Sequence, residues 1–242
     1  MWQEVRAELH PQGLEIVTVG IDTAGPEACR PFIEAARPQH PSLIDASHAV
    51  AQLFGVVNIP NGVWIDERGV IVRPAEPAHP PIRPDRPSPT GADLPDRIVD
   101  IFTEAQKIQT SPEAYNAALR DWVANGPASP FALSPDEVVA RSQPRNADAA
   151  RGHAHFELAA HLEQAGHHEA AIGHFREAHR LVPDNFAYKR QAWSLEPAVD
   201  GPLARFWQGP SDDNPEAWPY DGDWLSEVRH FGAENYYPQW RP

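Results

Sequence analysis

Hydrophobic spacing changes character several times along the chain. Glu4 to Leu9 is a short amphipathic helical stretch that stops before His10-Pro11. Gly13 then opens Leu14-Glu15-Ile16-Val17-Thr18-Val19-Gly20-Ile21-Asp22, a nearly continuous apolar and β-branched run. That pattern predicts a strand covered on both faces. Pro26 starts a helix that places Cys29, Phe32, Ile33 and Ala36 on one face. Residues 41–45 read as a short strand. Ser47 is placed to cap a helix carrying Val50, Leu53 and Phe54 and ending at Gly55. Val63-Trp64-Ile65 and Val70-Ile71-Val72 flank Glu67-Arg68-Gly69, the signature of an antiparallel hairpin with Trp64 beneath it.

Residues 74–95 carry prolines at 74, 77, 80, 81, 84, 87, 89 and 95, which predicts a linker at 76–95 without regular structure. Residues 96–195 return to helical spacing. Arg97 to Gln109 sets Ile98, Ile101, Phe102, Ala105 and Ile108 on one stripe. Ser111-Pro112-Glu113 starts a helix with Tyr115, Leu119, Trp122 and Val123 inward, closed by Gly126. Ser134-Pro135-Asp136-Glu137 is a capping box. Residues 196–242 have no periodicity but hold Phe206, Trp207, Trp218, Tyr220, Trp224, Phe231, Tyr236, Tyr237 and Trp240, rings expected to bury.

Composition narrows the function. The chain has 242 residues, enough for one or two domains. Its net charge of −14, with no cluster of Lys or Arg, argues against a nucleic-acid surface or an anionic membrane surface. No apolar run approaches the ~20 residues of a transmembrane helix. Residues 1–20 show no charged-then-apolar leader pattern, so the expected compartment is the cytoplasm. Cys29 is the single cysteine. It allows no internal disulfide, no Cys-x-x-Cys pair and no cysteine-based zinc site, and reads as a small buried hydrophobe. Seven histidines lie between 153 and 179 (His153, His155, His161, His167, His168, His174, His179) without metal-ligand spacing, and read as solvated helix positions. Asp22, Asp45 and Asp66 read as turn residues at strand ends. No cofactor and no metal ligand is expected.

Two family resemblances follow. Phe54-Gly55-Val56-Val57-Asn58-Ile59-Pro60-Asn61-Gly62-Val63-Trp64-Ile65-Asp66-Glu67-Arg68-Gly69, preceded by the strand at 14–21, the helix from 26, the strand at 43–45 and the helix at 47–55, resembles the TlpA/ResA-like thiol–disulfide oxidoreductases and their peroxiredoxin relatives. The resemblance implies a thioredoxin-like α/β domain over 1–75 and a cis Ile59–Pro60 bond. Ile59 and Pro60 would be its substrate-binding edge. Asn61-Gly62 replaces the family's Thr-Thr. In that family one cysteine thiolate attacks a disulfide or peroxide and a second cysteine resolves it. The family's interior strand and Cys-x-x-Cys match nothing in this chain. The favoured expectation is that coding sequence upstream of Met1 supplies them; the other is that something else fills the gap between the strands at 14–21 and 63–66.

His155, Leu158, Ala159, Leu162, Ala171, Phe175, Ala178 and Pro183 are similar to the tetratricopeptide repeat, with His155 where the repeat usually has Trp. That likeness implies a helical hairpin over 152–185 within a helical domain at 96–195, followed by an aromatic tail at 196–242. The leading expectation is thus a thiol redox family protein, inactive as this chain, acting on a protein or thiol/disulfide substrate. The alternative is a non-catalytic interaction module that binds a protein through its helices and aromatic tail.

Overall fold

The computed structural model describes residues 2–80, 95–142, 145–197, 205–211 and 213–242. The fold is mixed α/β. Its helices are α1 (Trp2–Leu9), α2 (Pro26–Ala36), α3 (Ala49–Phe54), α4 (Asp96–Ala105), α5 (Pro112–Asn125), α6 (Pro135–Ser142), α7 (Ala147–Gln164), α8 (His168–Leu181), α9 (Phe186–Leu195) and α10 (Trp224–Phe231). Its strands are β1 (Thr18–Ile21), β2 (Ser42–Asp45), β3 (Asn61–Ile65) and β4 (Ile71–Pro77). The chain divides into two compact units. One holds residues 1–82, 110–144 and 239–242, the other 83–109 and 145–238. These boundaries differ from the expected succession of domain, linker, helical domain and tail. Helices α5 and α6 belong with the strands because Tyr115, Ala118 and Leu119 complete the core beneath Trp64.

In the first unit β1 pairs with β2 in parallel, Thr18 opposite Ser42 and Ile21 opposite Asp45. β3 and β4 form the antiparallel hairpin, with Trp64 opposite Arg73. Each sheet has two strands among the described residues. The expected strand 14–22 is ordered as a strand only over Thr18–Ile21, and none of its residues is fully buried. Helix α2 likewise buries no side chain, and Phe32 is 78% exposed, against the expected inward face. Pro74 and Pro77 lie inside β4, so regular structure extends into the expected linker, most of which (81–94) lies outside the described residues. Proline is tolerated there because, among the described residues, β4 pairs on one side only and needs no N–H on the other.

The core of this unit gathers around Trp64. Its indole Nε1 donates to Tyr115 Oη at 2.8 Å. Its ring stacks on Trp122 at 5.1 Å between centroids. Arg73 is fully buried, which a cation survives only when paired. Glu76 accepts from its Nε at 2.7 Å, the Phe131 and Arg241 carbonyls accept from its other nitrogens, and the Trp64 and Trp240 rings lie 5.3 Å away.

In the second unit α7 and α8 pack antiparallel. Gly152 near the start of α7 sits against Leu181 and Val182 at the end of α8. Ala159, Ala171 and Ala178 are fully buried where the helices meet. Leu158, expected inward, is 43% exposed; Phe156 takes the inward position and stacks on Tyr188. The aromatic tail is not wholly irregular. Asp223 and Ser226 form a reciprocal cap that starts α10. Trp224, Tyr220 and Tyr236 then bury in the same core. Arg229 of α10 pairs with Asp100 and Glu104 of α4. Helix α4 ends at Ala105, short of the expected Gln109.

Candidate functional site

The turn from α3 into β3 carries both residues expected at the substrate edge. Gly55 closes α3 in the left-handed region. The Ile59–Pro60 bond is cis. Asn58 is buried, and its Oδ1 accepts the Ile59 N–H at 2.9 Å. The Pro60 carbonyl accepts from Ala78 N–H at 3.3 Å, which fastens the turn to the chain leaving β4. Both Ile59 and Pro60 are half-buried. Their backbone therefore lies at the hairpin entrance, with the Ile59 N–H engaged by its own neighbour. Gly62 follows two residues later. A Cβ there would fall 2.7 Å from Tyr115 Oη and 2.8 Å from Ala78 Cβ, which accounts for glycine at this position.

Cys29 stands on α2, its Sγ against Gly20 of β1. It is half-buried rather than fully buried as expected. Burial, and then the nearby Asp22 carboxylate, push its thiol pKa up from the ordinary value. A thiol held protonated is a poor nucleophile.

Asp45 does more than end a strand. Its carboxylate accepts from the N–H groups of Ala49, Val50 and Ala51 and from Ser47 Oγ. It replaces Ser47 as the group capping α3, and a negative charge suits a helix N-terminus. Asp66 likewise holds the hairpin turn through the Arg68 and Val70 N–H groups, and the Arg68 guanidinium pairs with it.

The histidines of the second unit are not uniformly solvated. His153 hydrogen-bonds Tyr188 Oη, and burial, then Arg145, pull its pKa down to about 4. His155 and His174 bring their Nδ1 atoms within 2.9 Å across α7 and α8. The His179 ring sits 5.4 Å from the Tyr220 ring, and burial, then Lys189, depress its pKa to about 3. His168 bridges two carboxylates, Nδ1 to Glu163 at 2.9 Å and Nε2 to Glu196 at 3.4 Å. Burial lowers its pKa, but Glu163 and Glu196 together raise it above the ordinary value. Among the described residues, no group of three or more His, Cys, Asp or Glu side chains is assembled to hold a metal ion. His167 is exposed, as expected of the α7–α8 turn. The Glu163–His168–Glu196 bridge was not foreseen. His168 follows Glu163 by five residues, but Glu196 arrives from beyond α9, so local spacing carries only half the signal.

No protein-family model, curated protein or solved structure matches this chain. Among the described residues no helix is long and apolar enough to cross a membrane.

Proposed function

We propose that residues 14–77 are a scaffold of the thioredoxin-like thiol redox type that presents a substrate edge at Ile59–Pro60 but carries no redox pair of its own. The observation that supports this most is the strand arrangement. A parallel β1–β2 pair linked through α2 is followed by an antiparallel β3–β4 hairpin entered through Pro60, and among the described residues β1 and β3 each pair on one side only. Each open edge exposes N–H and C=O groups able to accept a further strand. Cys29 is the lone thiol and its pKa is raised, so this chain does not run a disulfide cycle by itself.

Two measurements test the reading. The chain, and Cys29→Ser equally, should leave insulin disulfides intact in a turbidity assay; reduction that vanishes in Cys29→Ser overturns the assignment of an inert thiol. A chimera joining a working strand–Cys-x-x-Cys–helix segment ahead of residue 2 should gain insulin reductase activity. A chimera that unfolds cooperatively yet stays inactive overturns the scaffold reading.

A second reading, a non-catalytic module that binds another protein, is favoured by a different observation. Phe32 and Leu53 are 78% and 77% exposed, and Val17, Leu43 and Ile65 also face water in the first unit. Where such exposed apolar side chains form a contiguous patch, they mark a contact site. Of the tail aromatics expected to serve this role, Tyr220, Trp224 and Tyr236 are buried in the core of the second unit. A strictly monomeric chain that binds no hydrophobic dye, with Phe32→Ser and Leu53→Ser changing nothing, overturns this second reading.

A further inference from the structure

The second unit contains an open recess of about 240 Å³ formed by α8, α9, α10 and the segment before α10. Arg176 and Arg180, one helical turn apart on α8, stand on one side, and Lys189 of α9 lines it as well. Asp221 and Glu227 also line it, and Glu177 pairs with Arg180 beside it, so each cation here has a carboxylate partner.

The three cations are held differently. Lys189 is buried, its Nζ 2.7 Å from Glu227 Oε2 and about equally close to the Phe186 and Phe231 rings, at 5.4 and 5.1 Å. That pair stays made, because separating buried charges is costly. Arg176 bonds Asp221 at 2.8 Å, but Asp221 is 85% exposed. Arg180 bonds Glu177, also at the surface. Exposed pairs of this kind are worth little. Both guanidiniums are thus ready to exchange an exposed carboxylate for a better anion, and a guanidinium matches a phosphate in two parallel hydrogen bonds. Phe231 and Pro183 supply an apolar wall. His179 lines the recess too, and its buried Nε2 has no hydrogen-bond partner among the described residues. His230 is the remaining titratable group there.

We infer that this recess binds a small organic dianion, a phosphate monoester with an apolar body, with the phosphate between Arg176 and Arg180 and the body against Phe231 and Pro183. The inference is independent of the redox scaffold, which lies in the other unit.

Calorimetric titration of the full chain with phenyl phosphate tests it, with inorganic phosphate and benzoate as comparison ligands. Phenyl phosphate should bind saturably and weaken as salt is added. Asp221→Asn, which removes the competing carboxylate from an exposed position, should tighten binding several-fold. The double variant Arg176→Ala/Arg180→Ala should weaken it at least about tenfold. Both sites are exposed, so the variants should keep the parent circular dichroism spectrum. Absence of saturable binding at about 1 mM ligand, or an unchanged affinity in the folded double variant, overturns the inference. Benzoate binding as tightly as phenyl phosphate overturns the dianion assignment, and inorganic phosphate doing so overturns the apolar body.

Discussion

At the scale of single residues, Gly62 is decided by space. The Tyr115 hydroxyl that occupies the place of its missing Cβ is tied to Trp64 and cannot swing away freely. Gly62→Ala should therefore overpack the hairpin core and cost about 1–3 kcal/mol in urea unfolding. A change within experimental error would show that the contact relaxes at no cost. His179 gives a pH prediction. Its folded pKa, about 3, lies below the ordinary 6.5. The unfolded chain therefore takes up this proton first as pH falls, and stability drops from about pH 6.5 toward 3. In His179→Asn that part of the acid slope should disappear. An identical slope in parent and variant would place the acid sensitivity elsewhere. His168 has the opposite sign: its raised pKa makes its ion pairs with Glu163 and Glu196 complete below the ordinary value, and they are lost as pH rises through the folded one.

At the scale of elements, short pieces hold only because something outside them supplies their missing bonds. Helix α3 has six residues, too few to be stable alone, and the Asp45 carboxylate satisfies three N–H groups at its start. Helices α7 and α8 depend instead on side-chain size. Ala171 and Phe175 are buried in their interface. Ala171→Leu should cost about 1–3 kcal/mol by overpacking. Phe175→Ala should cost about 3–5 kcal/mol through the cavity it leaves. Thermal unfolding of the two variants, with exposed His167→Ala as a control within about 0.5 kcal/mol of the parent, checks the packing. Variants of Ala171 and Phe175 indistinguishable from that control would mean the helices do not meet there.

At the scale of the whole molecule, the first unit is assembled from distant parts of the chain. The neighbours of Trp64 are Tyr115, Ala118, Leu119 and Trp122 of α5, and the partners of Arg73 include the Phe131 and Arg241 carbonyls. A fragment of residues 2–80 would leave that tryptophan without its cover and a cation without its acceptors. It should show no cooperative unfolding transition by circular dichroism or tryptophan fluorescence. A sharp two-state transition in the fragment would show that the strands carry a sufficient core by themselves.

Much of the local structure was legible in the residues. Pro26, Pro112 and Pro135 begin helices where their fixed φ and missing N–H suit a first turn. The Glu67-Arg68-Gly69 turn joins β3 to β4, and Ser134 and Glu137 close the expected capping box. The alanines of α7 and α8 mark a close helix contact. These features are set by neighbours within a few positions, where steric preference and hydrogen-bond reach act. What the sequence misjudged depends on partners far along the chain. Periodicity in α2 marks an apolar face, but burial needs a surface to meet it, and among the described residues Phe32 is left 78% exposed. Asp223 and Ser226 start a helix in a tail without periodicity because α4 and α9 provide a core for Trp224. Composition alone determined that Cys29 has no redox partner within the chain and that the chain is strongly acidic. Only tertiary structure decided that α5 completes the Trp64 core, and that Arg176, Arg180 and Lys189 face one recess. Burial and charge density are sums over residues that the backbone brings together, and no local pattern contains those sums.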